Sequence, residues 1–149
     1  MSVMKKGIDY IGVGVVFFCH DGKGNFILSK RTKKSRDEHG KWDPGGGGVN
    51  FGEPILSALK REIKEEYCVE VLEAEFLGVR SAIRINEEKK KTHWLAIDYK
   101  VLVDRKKVRN GEPKKNEKVE WFTFDNLPSP LHSQWPIFVK KYKSKLVKI

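Results

Sequence analysis

Three glutamates near the middle of the chain could together hold a metal ion. Glu62, Glu65 and Glu66 are spaced i, i+3 and i+4, so a helix would place their carboxylates on one face. Like charges at this spacing repel each other, so such a face is either solvated or holds a cation. Hard divalent cations prefer carboxylate oxygens as ligands. The spacing therefore indicates a Mg²⁺ site, with a solvated helix face as the alternative.

The three glutamates end a longer pattern that begins at Gly47. Five residues separate Gly47 from Glu53, seven more separate Glu53 from Arg61, and the first of the three glutamates follows directly. This order and spacing resemble the signature of the Nudix hydrolases. The resemblance implies a metal-dependent enzyme that hydrolyses a phosphoanhydride bond in a nucleoside diphosphate linked to a further group, X.

The resemblance also implies a role for each position of the pattern. The three glutamates would hold Mg²⁺, with Mn²⁺ as an alternative ion, and the backbone carbonyl of Gly47 would complete the metal site. Arg61 would pair with Glu53 and fix the loop to the helix, and it is predicted to be a catalytic residue. Cys68 departs from the family, which has a glycine there to end the helix in a left-handed turn. A cysteine would adopt that turn at a cost of about 1 kcal/mol.

Five residues outside the pattern are further candidates. Lys30 and Arg31 end a predicted strand from which family members reach the substrate, although two solvated charges are the alternative. Trp42 and Trp94 could stack a base, but a tryptophan in a strand-rich domain is more often part of the core. Glu117 is a candidate additional metal ligand or general base, against the alternative of an exposed loop acid.

Three substrates or functions fit these residues. Segment 112–128 resembles that of small family members that cleave nucleoside triphosphates, which favours a (d)NTP cleaved to the monophosphate plus pyrophosphate. ADP-ribose or another nucleotide sugar is the enzymatic alternative, because the pattern reports the diphosphate and not its substituents. A non-catalytic RNA-binding Nudix domain would suit the net charge of +10. Such a domain needs no metal-binding acids, so a nucleotide and not a nucleic acid is the expected partner.

The composition predicts one domain over residues 1–149, since this length suits a single core. No run of 18 or more apolar residues could cross a membrane, and the N-terminus lacks the features of a signal peptide. We therefore expect a cytoplasmic protein with no membrane partner. The two cysteines are too few for a disulfide framework. A homodimer is left open.

The apolar pattern predicts the elements that must position these residues. Ile55, Leu59 and Ile63 form the core stripe of a helix over 54–67, and a second amphipathic helix covers 134–146. Polar segments predict exposed loops over 32–41 and 104–116. Alternating or continuous apolar segments predict strands over 8–18, 26–31, 69–85, 94–103 and 119–124. This order predicts an α+β fold, an α/β/α sandwich with a mixed sheet between helices, which is also the fold that the Nudix resemblance implies.

Overall fold

The computed structural model describes residues 3–149. Over this range the chain forms a seven-stranded sheet, two α-helices and a short 3₁₀ helix. None of these helices is both long enough and apolar enough to span a bilayer. In chain order the elements are β1 (Gly12–His20), β2 (Phe26–Arg31), β3 (Trp42–Asp43), β4 (Gly45–Gly48), α1 (Ile55–Tyr67), β5 (Glu73–Ile85), β6 (Lys91–Leu102), the 3₁₀ helix (Arg105–Lys107), β7 (Asn116–Phe122) and α2 (Trp135–Leu146).

The sheet is mixed and divides along its central strand. The strand order is β3-β2-β1-β6-β5, with β4 paired to β1 and β7 paired to β2. β1 runs parallel to β6, whereas the other pairings are antiparallel. β1 meets β2 only at its end, where His20 lies opposite Phe26, and pairs with β4 nearer its start, where Val15 lies opposite Gly47. The division leaves room for a cavity beside β4.

Each face of the sheet packs against one helix. Along β1 successive side chains alternate between the two faces. Phe17 packs in the same cluster as Leu59 and Ile63 of α1, and Phe18 packs in a second cluster with Phe138 and Trp135 of α2. The predicted α/β/α sandwich with a mixed sheet is therefore confirmed.

Three local expectations differ from the structure. The first strand begins at Gly12, later than residue 8, because the preceding residues form a turn. β3 and β4 were not predicted, since a two-residue strand and a run of glycines carry no side-chain alternation. The loop over 32–41 is only partly exposed. Asp37 is buried in it because its carboxylate pairs with the guanidinium of Arg31 at 3.1 Å.

Backbone carbonyls at the C-terminal end of α1 accept hydrogen bonds, although a cysteine and not a glycine caps the helix. Cys68 adopts the left-handed conformation, with φ of 59°. The backbone N–H groups of Arg109 and Gly111 donate to the carbonyls of Tyr67 and Glu66, at 3.0 and 2.9 Å. A Cβ on Gly111 would collide with the helix backbone, so glycine allows this close approach. The loop before β7 is thereby fixed to the end of α1.

The left-handed cap predicts that Cys68→Gly stabilises the protein. Glycine adopts positive φ without the steric cost that a Cβ imposes, so the free energy of unfolding should rise by about 1 kcal/mol. Urea denaturation followed by circular dichroism measures the change. Cys68→Ala is the matched control, because it removes the thiol and keeps the Cβ. Equal stability of the two variants would contradict a strained cap.

Candidate functional site

The acidic face of α1 lies against the bare backbone of β4. A Cβ on Gly47 would collide with the carboxylate of Glu62, so glycine at this position makes room for the acid. The backbone N–H of Gly46 donates to Oε2 of Glu66 at 3.1 Å. The glycine strand thus brings main-chain groups into contact with two of the three glutamates.

Arg61 connects the loop after β4 to the acidic face of α1. Its Nε and Nη2 donate to the two carboxylate oxygens of Glu53 at 2.7 and 2.9 Å, and Nη2 also donates to the carbonyl of Gly48 at 2.9 Å. Nη1 lies 2.8 Å from Glu62 and 3.3 Å from Glu65. The hydrogen bonds from Arg61 hold the pKa of Glu53 at about 2. The loop between β4 and α1 is therefore fixed to the helix by a bidentate ion pair.

Lys115 reaches the other end of the acidic face. Its Nζ lies 3.1 Å from Oε1 of Glu66 and 3.3 Å from the carbonyl oxygen of Gly46. The backbone bonds that join the loop before β7 to the end of α1 bring Lys115 to this place. Sequence reasoning missed this residue, since nothing distinguishes it from its neighbour Lys114. The only sequence signal for its role was its place near the end of the predicted loop 104–116, shortly before the predicted strand 119–124.

Burial shifts the pKa values of the charged side chains in the site. Glu66 is only 2% exposed, and burial raises its pKa to about 7 although Lys115 opposes the rise. Burial also raises the pKa of Glu62, against the effect of Arg61. Burial would lower the pKa of Lys115, but the neighbouring carboxylates of Glu66, Glu112 and Glu62 together outweigh it, and the pKa of Lys115 is raised. These carboxylates are therefore stabilised in their charged form by any cation beside them.

The donor set fits a hard divalent cation. The glutamates offer carboxylate oxygens and β4 offers carbonyl oxygens, which are the ligands such an ion prefers. Gly47 leaves room for the Glu62 carboxylate, which a side chain at this position would displace. Within residues 3–149 no three acidic, histidine or cysteine side chains converge into a ready coordination sphere. Arg61 and Lys115 instead form ion pairs with the carboxylates of Glu62 and Glu66.

A cavity of about 240 Å³ opens beside the acids and is rich in cations. Three of its arginines are tied to carboxylates: Arg31 to Asp37 and Asp43, Arg84 to Asp37, and Arg80 to Asp98. The cavity wall includes the acids of α1, glycines of β1 and β4, and several cationic or aromatic side chains. These residues are Gly14, Arg31, Arg36, Gly46, Gly47, Glu62, Glu66, Arg80, Arg84, Trp94 and Lys115. A site with buried acids at one end and arginines around it suits a phosphorylated ligand held through a cation.

The structure brings only some of the predicted residues outside the motif to this cavity. Arg31 lines it, whereas Lys30 and Glu117 form an ion pair with each other at 3.6 Å and are absent from its wall. Trp42, the candidate for base stacking, does not line the cavity, and the structure favours the core alternative for it. Trp42 is 6% exposed and packs edge-on against Phe122 in the core, with ring centroids 5.1 Å apart.

Comparison with known proteins agrees with this geometry. Residues 10–142 match the family model described as the NUDIX domain. A MutT NUDIX hydrolase from Burkholderia pseudomallei is 31% identical over 88% of this chain and 97% of its own, with a TM-score of 0.76. A MutT protein from Methanosarcina mazei Go1 is 22% identical over 91% and 94%, with a TM-score of 0.73. The NUDIX domain of Shewanella oneidensis NrtR, solved with ADP ribose, is 15% identical over 96% and 90%, with a TM-score of 0.69. The last two similarities show the fold alone.

The contact between Gly47 and Glu62 predicts that Gly47→Ala weakens metal binding. The new methyl group would push the flexible Glu62 side chain away, and the fold should survive. Displacing a group of a metal site typically costs about 10- to 100-fold in affinity, so calorimetry with Mn²⁺ should show at least a 10-fold loss. Gly48→Ala is the control, because a Cβ there meets nothing within 4 Å. Equal Mn²⁺ affinity of the two variants would contradict this geometry.

The ion pair between Lys115 and Glu66 predicts that Lys115→Met destabilises the metal-free protein. Removing the ammonium leaves a buried carboxylate without its cation, which costs about 1–3 kcal/mol of unfolding free energy. Denaturation in EDTA measures the loss, and added Mn²⁺ should reduce it. The neighbouring variant Lys114→Met should be neutral, since the Lys114 side chain is exposed. A loss that is the same with and without metal would refute this account.

Proposed function

The chain belongs to the NUDIX family and is a pyrophosphohydrolase of that family, and we propose that it cleaves a nucleoside diphosphate linked to a further group, X. The favoured substrate is a (d)NTP, released as the monophosphate plus pyrophosphate, with Mg²⁺ as the ion. The family membership follows from the match over residues 10–142 and from the 31% identity to a NUDIX hydrolase.

One observation carries this proposal: the acids of α1, the glycine strand and the cationic cavity adjoin at a single place. Glu62 and Glu66 are buried at the cavity wall, where a solvated helix face would have left them exposed. Burying two carboxylates is costly unless a cation compensates them. The solvated-face alternative therefore does not explain their position, which supports a metal site.

The acids of α1 and the ion pair between Arg61 and Glu53 have separate roles in the proposed reaction. Glu62, Glu65, Glu66 and the carbonyl of Gly47 would hold Mg²⁺, which supplies charge neutralisation on the phosphates and a more acidic water when bound. The Arg61 and Glu53 pair keeps the glycine loop and the helix in fixed relation, so that the ligand set is positioned in advance.

Cationic side chains at the cavity then orient the phosphates. Lys115, next to Glu66, can move its ammonium from the carboxylate to a phosphate oxygen. Arg31 lies on the cavity wall with its guanidinium held by Asp37 and Asp43. It adds a fixed positive charge beside the place of the phosphates. The buried setting strengthens these charge interactions.

Two alternatives remain to be separated by experiment. ADP-ribose or another nucleotide sugar would offer the same diphosphate to the acids, and resemblance of segment 112–128 to triphosphate-cleaving members is what favours a triphosphate. A non-catalytic RNA-binding domain would suit the net charge of +10. It would have no use for buried, cation-stabilised glutamates, which supports the enzyme.

A substrate panel tests the proposal. The protein with Mg²⁺ is given each dNTP and NTP, ADP-ribose, a second nucleotide sugar and a dinucleotide polyphosphate, and products are identified by chromatography. We expect turnover of at least one triphosphate to its monophosphate and pyrophosphate, and none in EDTA. Failure to cleave any of them, together with salt-sensitive RNA binding, would overturn the proposal in favour of the RNA-binding domain.

Glu66→Gln tests the assigned ligand role in the same assay. Loss of a group that supports a metal site costs about 10- to 100-fold, so loss of a ligand should cost at least about 100-fold in kcat/KM. Glu70→Gln is the control, because Glu70 lies beyond the helix and its side chain is 77% exposed. Unchanged turnover by Glu66→Gln would remove Glu66 from the metal site.

A further inference from the structure

Trp94 forms a flat apolar surface on the floor of the cavity. The indole ring lies against the backbone of Gly7 and Gly12, where any Cβ would collide with it. Its neighbours in the sheet are small: Ala82 lies opposite it on β5, and Ala96 follows it on the same face of β6. Trp94 is only 8% exposed, so the access of a ligand to the ring depends on what packs over it.

The guanidinium of Arg36 packs over the indole ring. The Arg36 Cζ lies 4.0 Å from the centre of the indole ring. The other arginines of the cavity wall are each fixed by a carboxylate, but Arg36 has no hydrogen bond or ion pair with any residue in 3–149. The residue as a whole is exposed, although burial of its guanidinium lowers the pKa of Arg36. A planar group that rests on an indole ring without a hydrogen bond or ion pair occupies a place that another planar group can take.

The indole surface adjoins the diphosphate end of the cavity. The position that a Cβ would take on Gly14 lies 3.1 Å from the carbonyl oxygen of Gly47 and 3.6 Å from Cε3 of Trp94. The expected metal-binding carbonyl and the edge of the indole ring are therefore separated only by the space over one glycine. A nucleotide with its phosphates at α1 would extend its base toward Trp94.

We infer that Trp94 is the residue on which the nucleobase of the substrate stacks, and that Arg36 occupies the place of the base in the free protein. The inference rests on the proposed function, because it takes the position of the phosphates from the acids of α1. Stacking on an indole ring suits any base, since every base has an aromatic face. Trp94 would thus recognise the nucleoside half of the substrate, whatever the group X.

Fluorescence with nucleoside monophosphates tests the inference without turnover. In EDTA, titration with AMP, GMP, CMP and UMP should quench the tryptophan emission for at least one of them, and ribose 5-phosphate should not. The quench should disappear in Trp94→Phe. Trp121→Phe is the matched control, because Trp121 also lies under an arginine, Arg105, at 4.9 Å but does not line the cavity. It should keep the quench.

Affinity and kinetics provide a second measurement. Trp94→Leu should bind the same monophosphate roughly 5- to 100-fold more weakly, the usual effect of losing one base-stacking ring. With a substrate that the panel identifies, it should raise KM more than it lowers kcat. Arg36→Ala, which uncovers the indole ring, should bind the monophosphate at least as tightly as the unaltered protein. Thermal unfolding of each variant checks that the fold is kept.

The outcomes separate this inference from the proposed function. Turnover in the panel with a quench that persists in Trp94→Phe, or with an unchanged KM in Trp94→Leu, would overturn the stacking role alone. Weaker monophosphate binding by Arg36→Ala would overturn the assignment of Arg36 as the group that the base replaces. A quench that depends on Trp94, without turnover of any nucleotide, would support the stacking site and refute the proposed hydrolase substrates.

Discussion

Burial of carboxylates beside a bare backbone is the constraint on which the site depends. Glu62 and Glu66 are withdrawn from water against β4, and burial alone would drive both toward the neutral form. Cations must therefore surround them. Arg61 supplies one on the side of the loop and Lys115 supplies another on the side of β7. A divalent ion would stabilise the same charges more strongly, which is why this arrangement suits metal binding.

The rest of the fold serves to keep those groups together. β1 pairs with β4 on one side and β6 on the other, so the glycine strand is anchored at the centre of the sheet. α1 packs through Leu59 and Ile63 in a cluster with Val15 and Phe17 of β1. The backbone bonds of Gly111 to the end of α1 bring in Lys115. Each contact joins segments that are distant in sequence, so the site is formed only when the sheet is complete.

The difference between local spacing and contacts distant in sequence explains which parts of the structure could be predicted from the sequence. The helix and its acids could be, because spacings of three and four residues are local and carry both the core stripe and the acidic face. β4 could not, since four glycines show no alternation. Lys115 could not, because its place depends on backbone bonds between loop and helix. The choice between Trp42 and Trp94 also needed the fold: the first packs against Phe122, and the second lies in the cavity.

Under the proposed function, the two faces of β1 separate the chemistry from the recognition of the substrate. Val15 and Phe17 face α1 and support the acids, whereas Gly12 and Gly14 face the cavity floor beside Trp94. A side chain at position 14 would fill the space between the Gly47 carbonyl and the indole ring, so glycine there keeps the path open. We therefore expect changes on the cavity floor to alter which nucleoside is held without disturbing the helix. On this proposal the motif on α1 specifies the bond that is cleaved, and the determinants of the substrate lie on the opposite face of the same strand.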